Sequence, residues 1–121
     1  MSKPTIRRVD KPWGYEEIFA HTPGYAGKFL VILKGRRLSL QYHERKDESL
    51  VLLSGRMHLL LGERDSLQER VLEPGDCFHV PAGMLHRFTA LEDCRLVEVS
   101  TPELGDVVRV EDDYGREGVS D

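Results

Sequence analysis

Two stretches of this sequence hold residues whose types and spacing could do chemistry. The first is Gly35–Gly55, GRRLSLQYHERKDESLVLLSG. Read as a strand, Leu38–His43 alternates its side chains, which puts Ser39, Gln41 and His43 on one side and Leu38, Leu40 and Tyr42 on the other. A polar row then faces the inside of an otherwise apolar fold. Glu48 follows His43 at the start of the next strand, and a short turn returns it beside Gln41 and His43. The second stretch is Gly75–His86, GDCFHVPAGMLH, in which Pro81 and Gly83 make a tight turn and His86 opens a new strand facing inward. Together these supply Gln41, His43, Glu48 and His86: two imidazoles, a carboxylate and an amide oxygen. A mixed nitrogen and oxygen set suits one borderline divalent ion, with zinc, manganese, cobalt, nickel and iron all eligible. It leaves a coordination position for water or substrate, as catalytic metal sites do. The same four residues without a metal would form a hydrogen-bonded polar cluster.

The elements that must position these groups are short and strand-like. Apolar runs at Tyr15–Ala20, Phe29–Leu33, Leu38–His43, Leu50–Leu53, Met57–Leu61, Gln68–Leu72, Cys77–Val80, His86–Ala90, Leu96–Ser100 and Val107–Val110 are separated by Gly- and Pro-bearing turns. Short strands at such regular spacing imply an all-β sandwich or barrel, and no window has helical periodicity. The basic N-terminal segment, 1–14, holds Pro4 and Pro12 and reads as an extended arm ending at Trp13-Gly14. Residues 111–121 are polar and acidic and read as a loose tail. The chain reads as one domain.

Composition narrows the function classes. The 121 residues are 40% hydrophobic and 31% charged, a globular balance. A formal charge of −4 argues against non-specific nucleic-acid binding but leaves room for a small anionic ligand met by local positive charge. No apolar run approaches the roughly 18–20 residues that cross a bilayer, so no membrane partner is expected. Met1–Arg8 has no apolar segment behind its charges and does not read as an export signal, and Cys77 and Cys94 make no disulfide framework. The expectation is a cytoplasmic protein with free thiols. His58 and His79, on strands, read as ordinary side chains rather than ligands, and His21, beside Thr22-Pro23-Gly24, reads as loop surface.

The spacing Gly35-x5-Gln41-x-His43-x4-Glu48-x6-Gly55, followed by Gly75-x5-Pro81-x-Gly83-x2-His86, resembles the two cupin motifs. That resemblance implies a double-stranded β-helix, the jelly-roll cupin barrel, with a metal between its sheets. The usual first motif has His where Gln41 stands, and the second often has Asn where this chain has Ala90. The Gln variant is similar to type II phosphomannose isomerases, including the C-terminal part of bifunctional mannose-1-phosphate guanylyltransferases. Lys11-Pro12-Trp13-Gly14, Leu38-Ser39-Leu40-Gln41-x-His43, Val97-Glu98-Val99 and Leu104–Arg116 resemble further stretches of that subfamily. The chain departs from it at Glu44-Arg45-Lys46, where the subfamily has a run of His, and at Ser49-Leu50, where it has His-Trp.

The resemblance implies an aldose–ketose isomerase acting on a phosphorylated sugar, with mannose 6-phosphate and fructose 6-phosphate as the expected pair. Glu98 is then the candidate base, and Arg109 and Lys11 are candidates for the phosphate. The arm could pair with a second subunit, so a homodimer is expected. Two other classes stay open: a metal cupin that binds a small sugar without turnover, and a metal-dependent oxygenase, against which the amide of Gln41 counts.

Overall fold

A computed structural model describes residues 5–120 of the chain; residues 1–4 of the expected arm and residue 121 of the expected tail lie outside the described residues. Twelve strands run in chain order: β1 (Arg7–Lys11), β2 (Gly14–His21), β3 (Ala26–Ile32), β4 (Leu40–Tyr42), β5 (Glu48–Ser54), β6 (Met57–Glu63), β7 (Ser66–Leu72), β8 (Cys77–Val80), β9 (Leu85–Ala90), β10 (Cys94–Ser100), β11 (Val107–Glu111) and β12 (Gly118–Ser120). The described residues contain no helix, and so none long and apolar enough to cross a membrane.

The strands form two six-stranded antiparallel sheets. One has the order β1-β2-β3-β10-β5-β8 and the other β12-β11-β4-β9-β6-β7. From β3 to β11 every connection but β6–β7 crosses between the sheets, as in a jelly roll. All ten apolar runs fall on β2–β11. The expected strand Leu38–His43 is shorter, with regular pairing only over Leu40–Tyr42. Inward side chains meet in a core of Leu30, Ile32, Leu50, Leu52, Met57, Leu59, Phe78, Phe88 and Leu96, with Trp13 at its edge.

Two further strands come from segments without an apolar run. Within the expected arm, β1 pairs along its length with β2 of the same chain, from Arg7↔Ile18 to Lys11↔Gly14. Within the expected tail, β12 pairs back on β11, and the turn before it is tied by Arg37 to Asp113 at 2.6 and 2.8 Å and by Arg116 to Asp112 at 2.9 and 3.1 Å. Gly55 sits at φ +90° in the β5–β6 turn, where a Cβ would collide with the Asp93 carbonyl oxygen. Only glycine fits there.

Candidate metal centre

The register of the second sheet sets three polar side chains in a row. Arg109 on β11 stands opposite Gln41 on β4, and Gln41 stands opposite His86 on β9. Directly opposed residues of an antiparallel pair share a face, so all three point between the sheets. The first sheet answers with Glu48 at the start of β5 and with Lys28 and Glu98, opposed on β3 and β10. His43 lies just past β4, and Lys46 lies on the turn that leads to Glu48. The β8–β9 turn closes against the same place: Gly83, at φ +84°, donates its N–H to the His43 carbonyl at 2.7 Å.

His43, Glu48 and His86 bring one ligand atom each within 4.8 Å of one another. Glu48 Oε1 is 3.5 Å from His43 Nε2 and 3.6 Å from His86 Nε2. Both rings are oriented by the backbone. His43 Nδ1 donates to the Asp106 carbonyl, and His86 Nδ1 donates to the Met84 carbonyl at 2.9 Å. That tautomer leaves both Nε2 lone pairs turned to the centre, as in metal-bound imidazoles whose other nitrogen is held by a carbonyl. His43 Nε2 is buried without a hydrogen-bond partner. Burial holds the His86 ring down at about 4, with Glu48 pulling partly the other way, so the ring is neutral near pH 7. Burial pushes the Glu48 carboxyl up, but the adjacent His43 ring and the Lys46 charge outweigh it and keep the group well below its ordinary range. Two buried imidazoles, one of them with an Nε2 that has no partner, and a carboxylate fit a divalent ion.

Gln41 completes the set. Its Nε2 lies 3.4 Å from His86 Nε2, while Ser39 Oγ donates to its Oε1 at 2.6 Å. Turning the amide about its last torsion would present Oε1 to an ion, and the Ser39 hydroxyl would then accept from the NH2 group. A further anchor holds the ligand loop: the Asp106 carboxylate accepts from the N–H groups of Glu44, Arg45 and Lys46 at 3.1, 2.7 and 2.9 Å.

The centre opens into a cleft also lined by Lys11, Trp13, Glu16, Lys28, Arg109 and Arg116. Glu98 stands there at 3% exposure, so this residue, which could have faced solvent or a polar lumen, faces inward. Burial raises its carboxyl above the ordinary range, while Lys28 and Lys46 draw it partly back. Glu16, Lys28, Glu98, Lys46 and Glu48 form a chain of alternating charge, with separations of 2.8, 3.7, 2.9 and 2.9 Å. Burial lowers Lys11; Glu16 opposes this, and the neighbouring Lys28, Arg109 and Arg116 add to it. The Arg109 Nε is buried without a partner. His58 and His79 lie outside the site, paired with Glu69 and Asp47 at 3.2 and 2.8 Å. Cys77 is exposed, while the Cys94 thiol is buried and donates to the Arg56 carbonyl.

Sequence reasoning missed Glu16, Lys28, Lys46 and Arg116 as site residues. Two carried a signal. Lys28 occupies an inward position between Ala26 and Leu30, and Glu16 precedes inward Ile18 by two residues. A charged residue on an inward register marks either a site or an ion pair, and here it marks both. Lys46 and Arg116 lie on turns, where no periodicity reports direction.

Comparison with known proteins agrees with this fold. The Xanthan biosynthesis protein XanB of Xanthomonas campestris pv. campestris is 31% identical over 115 residues, covering 91% of this chain and 24% of that protein. Mannose-1-phosphate guanylyltransferase 2 of Escherichia coli O157:H7 is 27% identical over 116 residues, covering 92% of this chain and 23% of that protein. The chain thus spans about a quarter of the length of these curated relatives. Among solved structures, KdgF from a Halomonas species superimposes with a TM-score of 0.71 at 28% identity, covering 79% of this chain and 87% of that one. Oxalate decarboxylase from Bacillus subtilis gives a TM-score of 0.77 at 15% identity, covering 87% of this chain and 30% of that one, which speaks to the fold alone. The family model for the cupin domain matches residues 25–100, so this chain belongs to the cupin family.

Proposed function

We propose that this cupin binds one divalent ion through Gln41, His43, Glu48 and His86 and isomerises a phosphorylated sugar, interconverting mannose 6-phosphate and fructose 6-phosphate. The observation that carries the reading is the meeting of His43, Glu48 and His86 at the foot of a cleft lined by Lys11, Arg109 and Arg116. In a chain of net charge −4, that local excess of cations suits an anionic ligand. The relative named mannose-1-phosphate guanylyltransferase is consistent with a phosphosugar.

Aldose–ketose isomerisation moves a proton between C1 and C2 and builds negative charge on the carbonyl oxygen. A divalent ion in this centre would supply Lewis-acid stabilisation of that charge. Glu98 is the proton carrier: burial raises its carboxyl towards the working range of a general base. Arg109 offers a planar fork of donors to the phosphate, with an Nε that has no partner in the protein, and Lys11 adds a second positive charge. Trp13, buried at the cleft wall, excludes water from the reacting end.

A second reading, a cupin module that binds a sugar without turnover, draws on one observation. The Glu98 carboxylate is already engaged by the Lys46 ammonium at 2.9 Å. A base so paired must exchange that partner before it can take a proton.

The test is isomerase turnover on protein stripped with chelator and reloaded separately with zinc, manganese, cobalt, nickel or iron. The expected result is conversion of mannose 6-phosphate that disappears in His43→Ala. Folded protein that holds about one ion and shows no turnover with any of these metals would sink this substrate and leave the module. Sedimentation of the same samples tests the proposed homodimer.

A further inference from the structure

Resting on the metal-centre reading, we propose that Lys46 is a built-in counter-cation of that centre: it shares Glu48 with the ion, confines that carboxylate to one ligating oxygen, and keeps metal affinity low. Lys46 is 3% exposed, and its Nζ lies 2.9 Å from Glu48 Oε2 and 2.9 Å from Glu98 Oε2. The two oxygens of Glu48 therefore have separate duties. Oε1 faces both imidazoles, at 3.5 and 3.6 Å, and Oε2 faces the ammonium. Bidentate coordination would need both oxygens on the ion, and Lys46 holds one away. Its backbone is pinned as well, since its N–H donates to Asp106 at 2.9 Å.

The electrostatic consequence has a definite sign. A fixed ammonium and a divalent cation on opposite oxygens of one buried carboxylate repel each other in a medium that screens poorly. The protein lowers that conflict with Glu98, which holds the other side of Lys46, while Glu16 neutralises the neighbouring Lys28. Lys46 is thus a positioning residue, acting on the ion through Glu48. Its removal should tighten metal binding. A lysine that merely braced the loop would do the reverse, because its loss would loosen His43 and Glu48.

The experiment is a zinc titration of chelator-stripped protein against a chromophoric chelator of known affinity, at fixed pH. Wild type is compared with Lys46→Gln, Glu98→Gln, the Lys46→Gln/Glu98→Gln double variant and His43→Ala. Lys46→Gln is expected to bind zinc more tightly by a factor on the order of ten to a hundred. The double variant is expected to bind more tightly than Glu98→Gln alone; this comparison removes a whole ion pair and keeps the answer if Lys46→Gln does not fold. Equal or weaker zinc binding in folded Lys46→Gln, or a double variant no tighter than Glu98→Gln, would overturn the role of Lys46. Zinc binding indifferent to His43→Ala would instead overturn the metal centre itself.

Discussion

The interior of the sandwich has two halves built on the same strands. Along β10 the inward residues run Cys94, Leu96, then Glu98 and Ser100; along β5 they run Leu52, Leu50, then Glu48. β3 goes from Ile32 and Leu30 to Lys28, and β9 from Ala90 and Phe88 to His86. Backbone, period and burial are the same on both sides of that line, and only side-chain chemistry changes. The difference assigns the work. Apolar burial contributes stability at roughly 25 cal/mol per Å². Buried ion pairs contribute little net, because desolvation offsets most of their attraction. The dry half therefore holds the wet half in place, and stability and metal affinity in the folded state should be separable.

Leu52→Ala is the sharpest way to break that claim. Leu52 is fully buried among the core side chains of both sheets, so its truncation should cost about 2–5 kcal/mol in urea unfolding. Zinc affinity below the transition should stay at the wild-type value. A variant that lost both would show the two halves to be one unit.

The next effect lies in the wet half and appears on acidification of the chelated protein. The folded state holds His86 at about 4 against an unfolded value of 6.5. Between those values the unfolded chain binds a proton that the folded chain refuses, so stability falls as pH falls through the window. The full difference is about 3 kcal/mol. Glu48, held low, acts in the same direction: its stabilisation is present above the unfolded carboxylate value and is lost as pH falls towards its folded one. Glu98, held high, acts oppositely and costs stability above the unfolded value. Urea melts between pH 7 and pH 4 should show the loss, and His86→Asn should remove the part of the slope that belongs to the imidazole.

The same two halves explain how much was legible beforehand. Alternation found β2–β11, because each of these strands has inward residues that either pack or line the site. It missed β1 and β12, edge strands held by backbone pairing to one neighbour, in which no apolar stripe is required. Gln41, His43 and Glu48 sit together because their spacing already encodes a strand, a turn and a returning strand, and His86 joins them through the pairing of β9 with β4. Sequence leaves Arg109 open to a solvated surface role, yet its register opposite Gln41 aims it into the cleft. Register is a long-range property, so no local pattern on β11 could report it. Lys46 is harder still: its direction is set by a turn and by two carboxylates that arrive from β5 and β10.

The smallest expected effect concerns Asp106, which belongs to neither half and joins the wet one to the loop before β11. Its carbonyl orients His43, and its carboxylate collects three N–H groups of the Glu44–Lys46 loop. Asp106→Ala leaves the carbonyl in the chain and removes the carboxylate, so the ligand keeps its acceptor while the loop that sets its position is released. The residue is half-buried and water can replace part of what is lost, so unfolding should change by about 1 kcal/mol. Zinc affinity should fall about tenfold, the usual size of the effect when a group that supports a metal ligand is lost. Asp106→Asn should do no better, because its amide keeps one acceptor but turns a donor towards backbone N–H groups. Affinity that stayed at the wild-type value in Asp106→Ala would mean that β4 and the Gly83 contact alone hold His43 in place.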